Sequence, residues 1–387
     1  MPIPFWKIKR ELTRPFKQLG VSPSRLGSLL LSQPYYDLVL ARKKQITQGE
    51  IAATPKLAVY LIFPQSGLLA SHEVALTYLV ENGYAPIVVS NLPLGDADKL
   101  RLRQQSTLII ERANFGYDFG GYRDGLLEAV ARFKNTERLV LLNDSAWFPL
   151  PGSANWLRAA EALNLDFVGA ATNYGHARVN PEDFREIEWS YSSAHRNFHY
   201  CSFALMISGA LLRDPAFLRF WQKFPLTNNK TVTVRRGEIG LSRWVIQNGR
   251  SHGTTLQISD LDRELAQLPP EDLRQIAAQT IIPEMARMKQ VKAGFDIQTA
   301  SVGDLINFIL TSVARQGISY THPRLVHRRR GFGFLKKSPL WLDEQASDLT
   351  LDFTRDLSGE VGAIIHKEAV ELRRQRGARF SPPAVAP

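Results

Sequence analysis

The sequence predicts an α/β protein built on a mostly parallel, Rossmann-type sheet flanked by helices. Two observations carry that prediction. Between residues 56 and 175, short apolar runs alternate with segments of helical period, the pattern of βαβ units. The runs are followed by polar or glycine-bearing turns, which in such a sheet share the rim beyond the carboxyl ends of the strands. A third observation sets the class. With 387 residues, 44% apolar and 22% charged, the chain has the make-up of a folded globular protein.

The elements follow in order. "KLAVYLIF" reads as a buried strand, and "SHEVALTYLVENG" as an amphipathic helix with Ser71 as its N-cap and Gly83 as its stop. "APIVVSN" is the next strand, "GDADKLRLRQQ" a polar helix or turn, and "STLIIER" a third strand. "GYRDGLLEAVARF" is helical, "RLVLLND" a fourth strand, "NWLRAAEALN" a helix and "DFVGAAT" a fifth strand. The second half is less regular. "HYCSFALMISGALL" reads as a strand entering a helix, "DPAFLRFWQKF" as a helix, and "RRGEIGLSRWVIQNG" as a turn before a helix that stops at Gly249. Residues 260–316 are mostly helical in pattern. The expected organisation is a basic amphipathic N-terminal extension over 1–55, one domain over 56–316, and a basic C-terminal extension over 317–387.

The formal net charge is +11, and much of it lies near the ends. Residues 1–30 carry Lys7, Lys9, Arg10, Arg14, Lys17 and Arg25 against Glu11. Residues 324–337 carry Arg324, Arg328, Arg329, Arg330, Lys336 and Lys337 with no acid. Such a balance suits anionic partners, although solvated tails would look the same. Phe5, Trp6, Ile8, Leu12 and Phe16 recur at near-helical spacing among the N-terminal charges, which suits a helix lying on an anionic membrane surface. No nucleic-acid motif accompanies the charge, so no nucleic-acid partner is expected. No run is long enough to span a membrane, and no signal-peptide core follows the basic start. A cytoplasmic location is expected, with peripheral attachment to the inner membrane face.

Cys201 is the single cysteine, which excludes an internal disulfide and a cysteine-based zinc site. Its surroundings, "HYCSFALMI", read as core. His195 and His199 lack a nearby acid to complete a metal site, so structural or acceptor-pocket roles fit them better. Trp147, Trp189, Tyr191 and Trp221 could stack on sugar faces or simply fill the core.

Two motifs carry chemistry. "RANFGYDFGGYRDG", residues 112–125, is neither a P-loop nor the dinucleotide fingerprint. Its glycines would let the backbone approach a ligand. Asp118 and Asp124 are good acceptors for sugar or ribose hydroxyls, and Arg112 and Arg123 could neutralise a diphosphate. A tight loop whose acids cap the next helix is the alternative. The second motif is Asn143-Asp144-Ser145, where Asp144 could be half of a divalent-metal site or the cap of a turn. Asn91, the loop from Asn114 and this tripeptide all follow strands and so share one rim.

The order of these motifs resembles the sugar-nucleotide half of a GT-A glycosyltransferase. Asn143-Asp144-Ser145 stands where those enzymes carry Asp-x-Asp, and the departure leaves Mg²⁺ or Mn²⁺ dependence open. More closely, the chain resembles the rhamnan synthesis protein F family of bacterial surface-polysaccharide glycosyltransferases. The matching stretches are "NFGYDFGGYRDGL", "LLNDSAWFPL", "DFVGAAT", "HYCSFALMISGALL" with "FLRFW", and "GEIGLSRWVIQNG", within residues 56–250.

The resemblance implies a GT-A-like domain with a nucleotide-sugar half over 56–175 and an acceptor half over 176–316. It implies a donor site formed by Asn91, Asn114, Gly116, Asp118, Arg123, Asp124, Asn143 and Ser145, with Arg235 and Arg236 on the diphosphate. Asp144 would hold a metal if one is used. Glu238 would be the general base of an inverting transfer, or else merely an acid at a helix start, with Arg235 and Arg236 keeping it ionised. The implied activity moves rhamnose or another deoxyhexose from a nucleotide sugar to a saccharide or lipid-linked saccharide of a surface polysaccharide or lipopolysaccharide. The alternative is a catalytically inactive GT-A-like module that binds or assembles carbohydrate.

Overall fold

The computed structural model describes residues 32–377. The basic amphipathic pattern of the first thirty residues and the Pro-rich end of the chain lie outside the described residues. The strands in chain order are β1 (Gln45–Gln48), β2 (Lys56–Ile62), β3 (Ala85–Ser90), β4 (Leu108–Glu111), β5 (Arg138–Asn143), β6 (Ala146–Trp147), β7 (Phe167–Gly169), β8 (Thr172–Asn173), β9 (His199–Tyr200), β10 (Ala204–Ser208), β11 (His252–Thr254) and β12 (Leu335–Lys336).

Eight of them form one sheet in the order β1-β4-β3-β2-β5-β10-β7-β11. β4, β3, β2 and β5 pair in parallel, as do β7 and β11. β1 runs against β4, and β10 runs against both β5 and β7. The sheet is therefore mostly parallel, as the alternation of strands and helices predicts. β1 escapes a sequence reading because "QITQ" carries a single aliphatic residue and gains its place only as an edge partner of β4.

The five strands expected from the sequence are β2, β3, β4, β5 and β7. Along β2, Ala58, Tyr60 and Ile62 face one buried layer, while Leu57, Val59 and Leu61 face the other. That alternation follows from the two-residue period of a strand, and burial on both faces explains the unbroken apolar run. The polar stretch "DADKLRLRQQ" resolves as a helix, Asp96–Gln105. The helix after β2, Ala70–Glu81, starts two residues earlier than expected. Its cap is at Leu69, whose N–H donates to His72 Nδ1 at 3.2 Å, so Ser71 is not the cap.

The reversed strand β10 decides where the site lies. Because β10 runs against β5, its amino end meets the carboxyl end of β5, and the Asn143 N–H donates to the Phe203 carbonyl at 3.3 Å. Residues 199–203 are thereby carried to the rim where Asn143-Asp144-Ser145 sits. Strand order also reverses between β2 and β5, the usual position of a ligand crevice in such sheets. Asp144 bridges that crevice: its N–H donates to the Leu61 carbonyl at 3.0 Å and its Oδ2 accepts the Phe63 N–H at 2.8 Å.

The glycine-rich loop leads into the helix Tyr117–Arg132. Gly116 adopts φ 82°, a left-handed turn that a side chain would strain, and its N–H donates to Asn228 Oδ1 at 2.8 Å. The later glycines serve packing rather than ligand approach. A Cβ at Gly121 would stand 2.4 Å from Leu61, and one at Gly125 2.6 Å from Val59, so the helix lies directly on β2.

The segment expected as a C-terminal extension is, over its described residues, folded against the domain. β12 pairs with β6, and Trp147, Leu150, Leu335, Leu340, Phe353 and Ile365 share an apolar cluster. Glu368, on the helix Gly359–Arg376, accepts the Ser71 N–H and the Trp147 indole N–H, each at 2.9 Å. The basic run is paired as well. Arg329 meets Glu264 at 2.6 Å, Arg330 meets Asp260 at 3.0 Å, and Arg324 and Arg328 both meet Asp356. At the other end, residues 32–55 supply β1 and the fully buried Tyr36.

Candidate functional site

The residues expected at the donor site divide into two groups. The first is a buried network. Asp124 Oδ2 accepts a hydrogen bond from Arg112 Nε at 2.7 Å and another from the Tyr36 hydroxyl. Arg112 also donates to Asn91 Oδ1 at 2.5 Å and to the Phe115 carbonyl at 2.8 Å. Arg123 donates to the carbonyls of Trp221 and Gln222 and pairs with Asp37 at 2.9 Å. The structure thus gives Asn91, Arg123 and Asp124 internal partners: Asp124 and Arg123 fasten the glycine loop and its helix to residues 36–37 and 221–222, and Asn91 holds Arg112. Buried charges are tolerated only when paired, and this set is paired throughout.

A consequence follows for Asp124. Asp124→Ala leaves the buried Arg112 uncompensated and should cost about 3–5 kcal/mol in denaturant unfolding. The folded fraction should keep its ligand affinity within about threefold, because the Asp124 carboxylate is already bonded to Arg112 and Tyr36. A large loss of affinity at unchanged stability would return Asp124 to the ligand site.

The second group converges beyond the carboxyl end of β5. Asp118, in the first turn of its helix, accepts a hydrogen bond from Asn143 Nδ2 at 3.0 Å. Asn143 Oδ1 accepts from the Ser145 hydroxyl at 2.5 Å and from the Ser145 N–H at 3.1 Å. Lys336, half-buried on β12, donates from Nζ to Ser145 Oγ at 3.0 Å. Glu238 lies in a wide helical turn, Arg235–Ile239, that runs on into the helix Gly240–Gln247. Its Oε1 accepts the Ser202 hydroxyl at 2.5 Å, and its Oε2 lies 3.7 Å from His199 Nε2. Gly237 makes that position possible, since a Cβ there would meet the Phe119 ring at 2.3 Å.

Electrostatics bind this group together. Burial pushes the Asp118 carboxyl up to about 6, with Glu238 and Asp144 raising it further and Lys336 and Lys230 opposing. Burial likewise pushes Cys201 up to about 12, so this thiol beside Glu238 stays protonated. The Lys336 ammonium is held below its usual range by burial, against the pull of Cys201, Asp118 and Glu238.

Next to this group, and sharing His199 with it, lies a cavity of about 640 Å³, lined by Tyr174, Asn197, His199, Thr231, Val234 and Ile239 together with four cations. The cations are Arg196, Lys230, Arg235 and Arg243. No acidic side chain lines it, and among the described residues none of the four is held in an ion pair. Arg235 is exposed to the opening, whereas Arg236 turns away and donates to the Pro225 carbonyl at 3.4 Å. The Tyr174 ring, at φ 60°, stacks on His195 with 5.2 Å between centroids and carries Arg178 at 3.9 Å. Asn114 is exposed on the loop and Gly116 lies beneath it. The aromatics Trp147 and Trp221 are buried in the core, and Trp189 stacks on His176 at 3.9 Å.

The tripeptide does not fit a divalent metal. Asp144 Oδ2 accepts the Phe63 N–H and lies 3.3 Å from His72 Nε2. Burial opposes the Asp144 charge, but the nearby His72 ring, the Lys337 charge and the Phe63 N–H outweigh it, and the carboxyl is held below its usual value. Asn143 and Ser145 are bonded to each other, and an ammonium already stands on Ser145. Among the described residues, no three His, Cys, Asp or Glu side chains form a metal-ligand group. The open question of Mg²⁺ or Mn²⁺ at Asp144 therefore finds no ready-made ligand group among the described residues.

Comparison with known proteins completes the description. The family model of rhamnan synthesis protein F matches residues 86–321, well over half of the chain. The chain belongs to that family. The match takes in the glycine loop, the tripeptide, residues 199–203 and Glu238, so the whole of the cleft except Lys336 belongs to the family's region. The uncharacterized protein y4gN of Sinorhizobium fredii (strain NBRC 101917 / NGR234) is 32% identical over 240 residues. That alignment covers 61% of this chain, and the chain spans 57% of the length of that relative.

Among solved structures, core-mannan synthase A (CmsA/Ktr4) of Aspergillus fumigatus in its Mn/GDP form shares 9% identity at a TM-score of 0.24, over 51% of this chain and 68% of its own. The mannosyltransferase Ktr4p of S. cerevisiae shares 9% at 0.23, over 52% and 66%. These likenesses are slight, and nothing about the site rests on them. No described helix is long and apolar enough to cross a membrane.

Within this member of the rhamnan synthesis protein F family, sequence reasoning missed Arg196, Lys230, Arg243, Ser202 and Lys336. Four of the five lie in stretches that look like ordinary surface or core. Lys336 had a readable signal: in "GFGFLKKSPLW" two lysines interrupt an otherwise apolar run, which implies burial rather than a solvated tail.

Proposed function

We propose that this chain is a glycosyltransferase that takes a sugar from a nucleoside-diphosphate donor and passes it to a saccharide acceptor. The observation that carries the reading is a cavity walled by four cations held in no ion pair among the described residues, with His199 of its lining 3.7 Å from the Glu238 carboxylate, itself an electrostatic neighbour of Asp118. Arg196, Lys230, Arg235 and Arg243 suit a diphosphate, since charge-assisted hydrogen bonds from guanidinium groups to phosphate are strong and directional. The Tyr174 ring beside them suits a sugar or base face. Family membership supports a role in polysaccharide synthesis, with rhamnose or a related deoxyhexose as the transferred sugar.

The transfer is read as inverting. The acceptor hydroxyl oxygen attacks the anomeric carbon and its proton passes to Glu238, whose partners Ser202 and His199 fix its orientation. The bond from the anomeric carbon to the diphosphate oxygen breaks, and the electron pair leaves with the nucleoside diphosphate. Asp118 accepts hydrogen bonds from sugar hydroxyls, held in place by Asn143. The acceptor is a growing surface polysaccharide or its lipid-linked precursor, reached from the cytoplasmic face of the membrane.

A thermal-shift screen of the purified protein against nucleoside diphosphates and their sugars tests this. One nucleotide family should raise the unfolding midpoint, since a ligand at a hundred times its Kd contributes about 2.7 kcal/mol. The double variant Arg235→Ala/Arg243→Ala should lose that shift, with about tenfold to hundredfold weaker binding. Binding without release of sugar or transfer would favour the catalytically inactive module. No shift with any nucleotide would sink the donor site altogether.

A further inference from the structure

We propose that Lys336 supplies the positive charge that stabilises the departing diphosphate, in the place where the Asp-x-Asp enzymes hold a divalent ion. This rests on the transferase reading above. β12 pairs with β6 so that Lys336 lies opposite Ala146, directly after the tripeptide. The Lys337 N–H donates to the Ser145 carbonyl at 3.0 Å, which locks the register.

Successive side chains of a strand point to opposite sides, and the two lysines divide accordingly. Lys336 reaches Ser145 Oγ and lies over the Phe203 ring at 4.6 Å. Lys337 lies over the Trp147 ring at 5.3 Å and interacts with Asp144 and Glu368. The tripeptide is thus split: its carboxylate faces His72 and Lys337, and its hydroxyl faces Lys336 and the cleft floor.

Among the described residues Lys336 has one hydrogen-bond acceptor, the Ser145 hydroxyl, and no carboxylate pairs with it directly. An ammonium carries three donors, so its charge and two protons remain for an incoming oxygen. Asp118, Glu238 and Lys230 are its electrostatic neighbours, which sets it among the groups assigned to the sugar, the acceptor and the diphosphate. As the anomeric bond breaks, the ammonium donates a hydrogen bond to the phosphate oxygen that receives the electron pair and keeps its own proton. Such preorganised charge, aimed where negative charge develops, is the commonest large term in catalysis.

The test uses the full-length protein and the nucleotide sugar found in the screen. Native protein, Lys336→Met and Lys336→Arg are each assayed with excess EDTA and with added Mn²⁺ or Mg²⁺. The native rate should change less than about threefold between chelator and metal, while Lys336→Met loses about 10²–10³-fold under both. Lys336→Arg should recover at least about tenfold of that loss, because the charge is restored. Lys336→Met should also bind the nucleoside diphosphate about tenfold more weakly and the nucleoside almost unchanged.

If EDTA abolishes native turnover and Lys336→Met keeps the native rate with Mn²⁺, the lysine is not the counter-charge and the transferase reading stands. If the native protein neither binds nor turns over any nucleotide sugar, both readings fall. Should Lys336→Met not fold, the chelator arm and Lys336→Arg still decide, since metal-dependent turnover overturns the proposal without it.

Discussion

Glu238→Gln is expected to lower the transfer rate by about 10²–10⁴-fold while the protein stays folded and binds donor normally. The glutamine oxygen can still accept the Ser202 hydroxyl, and the backbone carbonyl at 238 still accepts the Ser242 hydroxyl, now at 2.7 Å. What disappears is the capacity to take up the acceptor's proton. The loss should therefore fall on kcat and leave donor affinity within about threefold. Initial-rate measurements with a thermal midpoint for each variant check this. A loss below about tenfold would mean that another group serves as base, and Asp118 would be the first alternative.

Asp118→Asn is expected to stabilise the protein and impair it together. The native carboxyl is raised from 3.8 to about 6, chiefly by burial. A raised acid means that the native state binds the proton more tightly than the unfolded chain does. Stability is then lost as pH rises from about 4 to 6, and the full penalty applies above that window. The penalty is on the order of 2–3 kcal/mol at pH 7.5. Removing the charge should restore it, raising the midpoint by about 2–5 °C at pH 7.5 and by nothing at pH 3.

The asparagine can keep the hydrogen bond from Asn143 but accepts more weakly from sugar hydroxyls. Turnover should drop about tenfold to hundredfold. In the native protein, the proposed transfer should slow as pH drops through about 6, as Asp118 takes up its proton. The variant should lack that limb. A destabilised Asp118→Asn, or an unchanged pH profile, would remove Asp118 from the site.

Much of the fold was legible because its causes are local. Strands β2, β3, β4, β5 and β7 are short apolar runs bounded by turn residues, and burial on both faces makes such runs continuous. Their common rim followed from the parallel order, and it rightly drew together Asp118 and Asn143-Asp144-Ser145. The glycine loop was misread in part. Gly121 and Gly125 look like ligand-approach glycines from sequence, but the contacts they permit are with Leu61 and Val59 of β2. A backbone approached by its own sheet and one approached by a ligand leave the same mark in a sequence.

The charged residues were the least legible, since their roles depend on which partner the tertiary fold brings near. Asn91, Arg123 and Asp124 have the right chemistry for a sugar nucleotide, yet the fold gives each an internal partner. The basic stretch 324–337 reads as a solvated tail because its acids, Asp260, Glu264 and Asp356, are distant in sequence.

The sequence by itself determined the α/β class, the order of the central strands' residues and the family, because hydrophobic period and turn chemistry act over a few residues at a time. The tertiary structure alone decided the site's membership. The reversal of β10 carried Ser202 and His199 to Glu238, and the β12–β6 pair carried Lys336 to Ser145 from 191 residues away. Both are long-range pairings, fixed by the packing of the whole domain rather than by any local pattern.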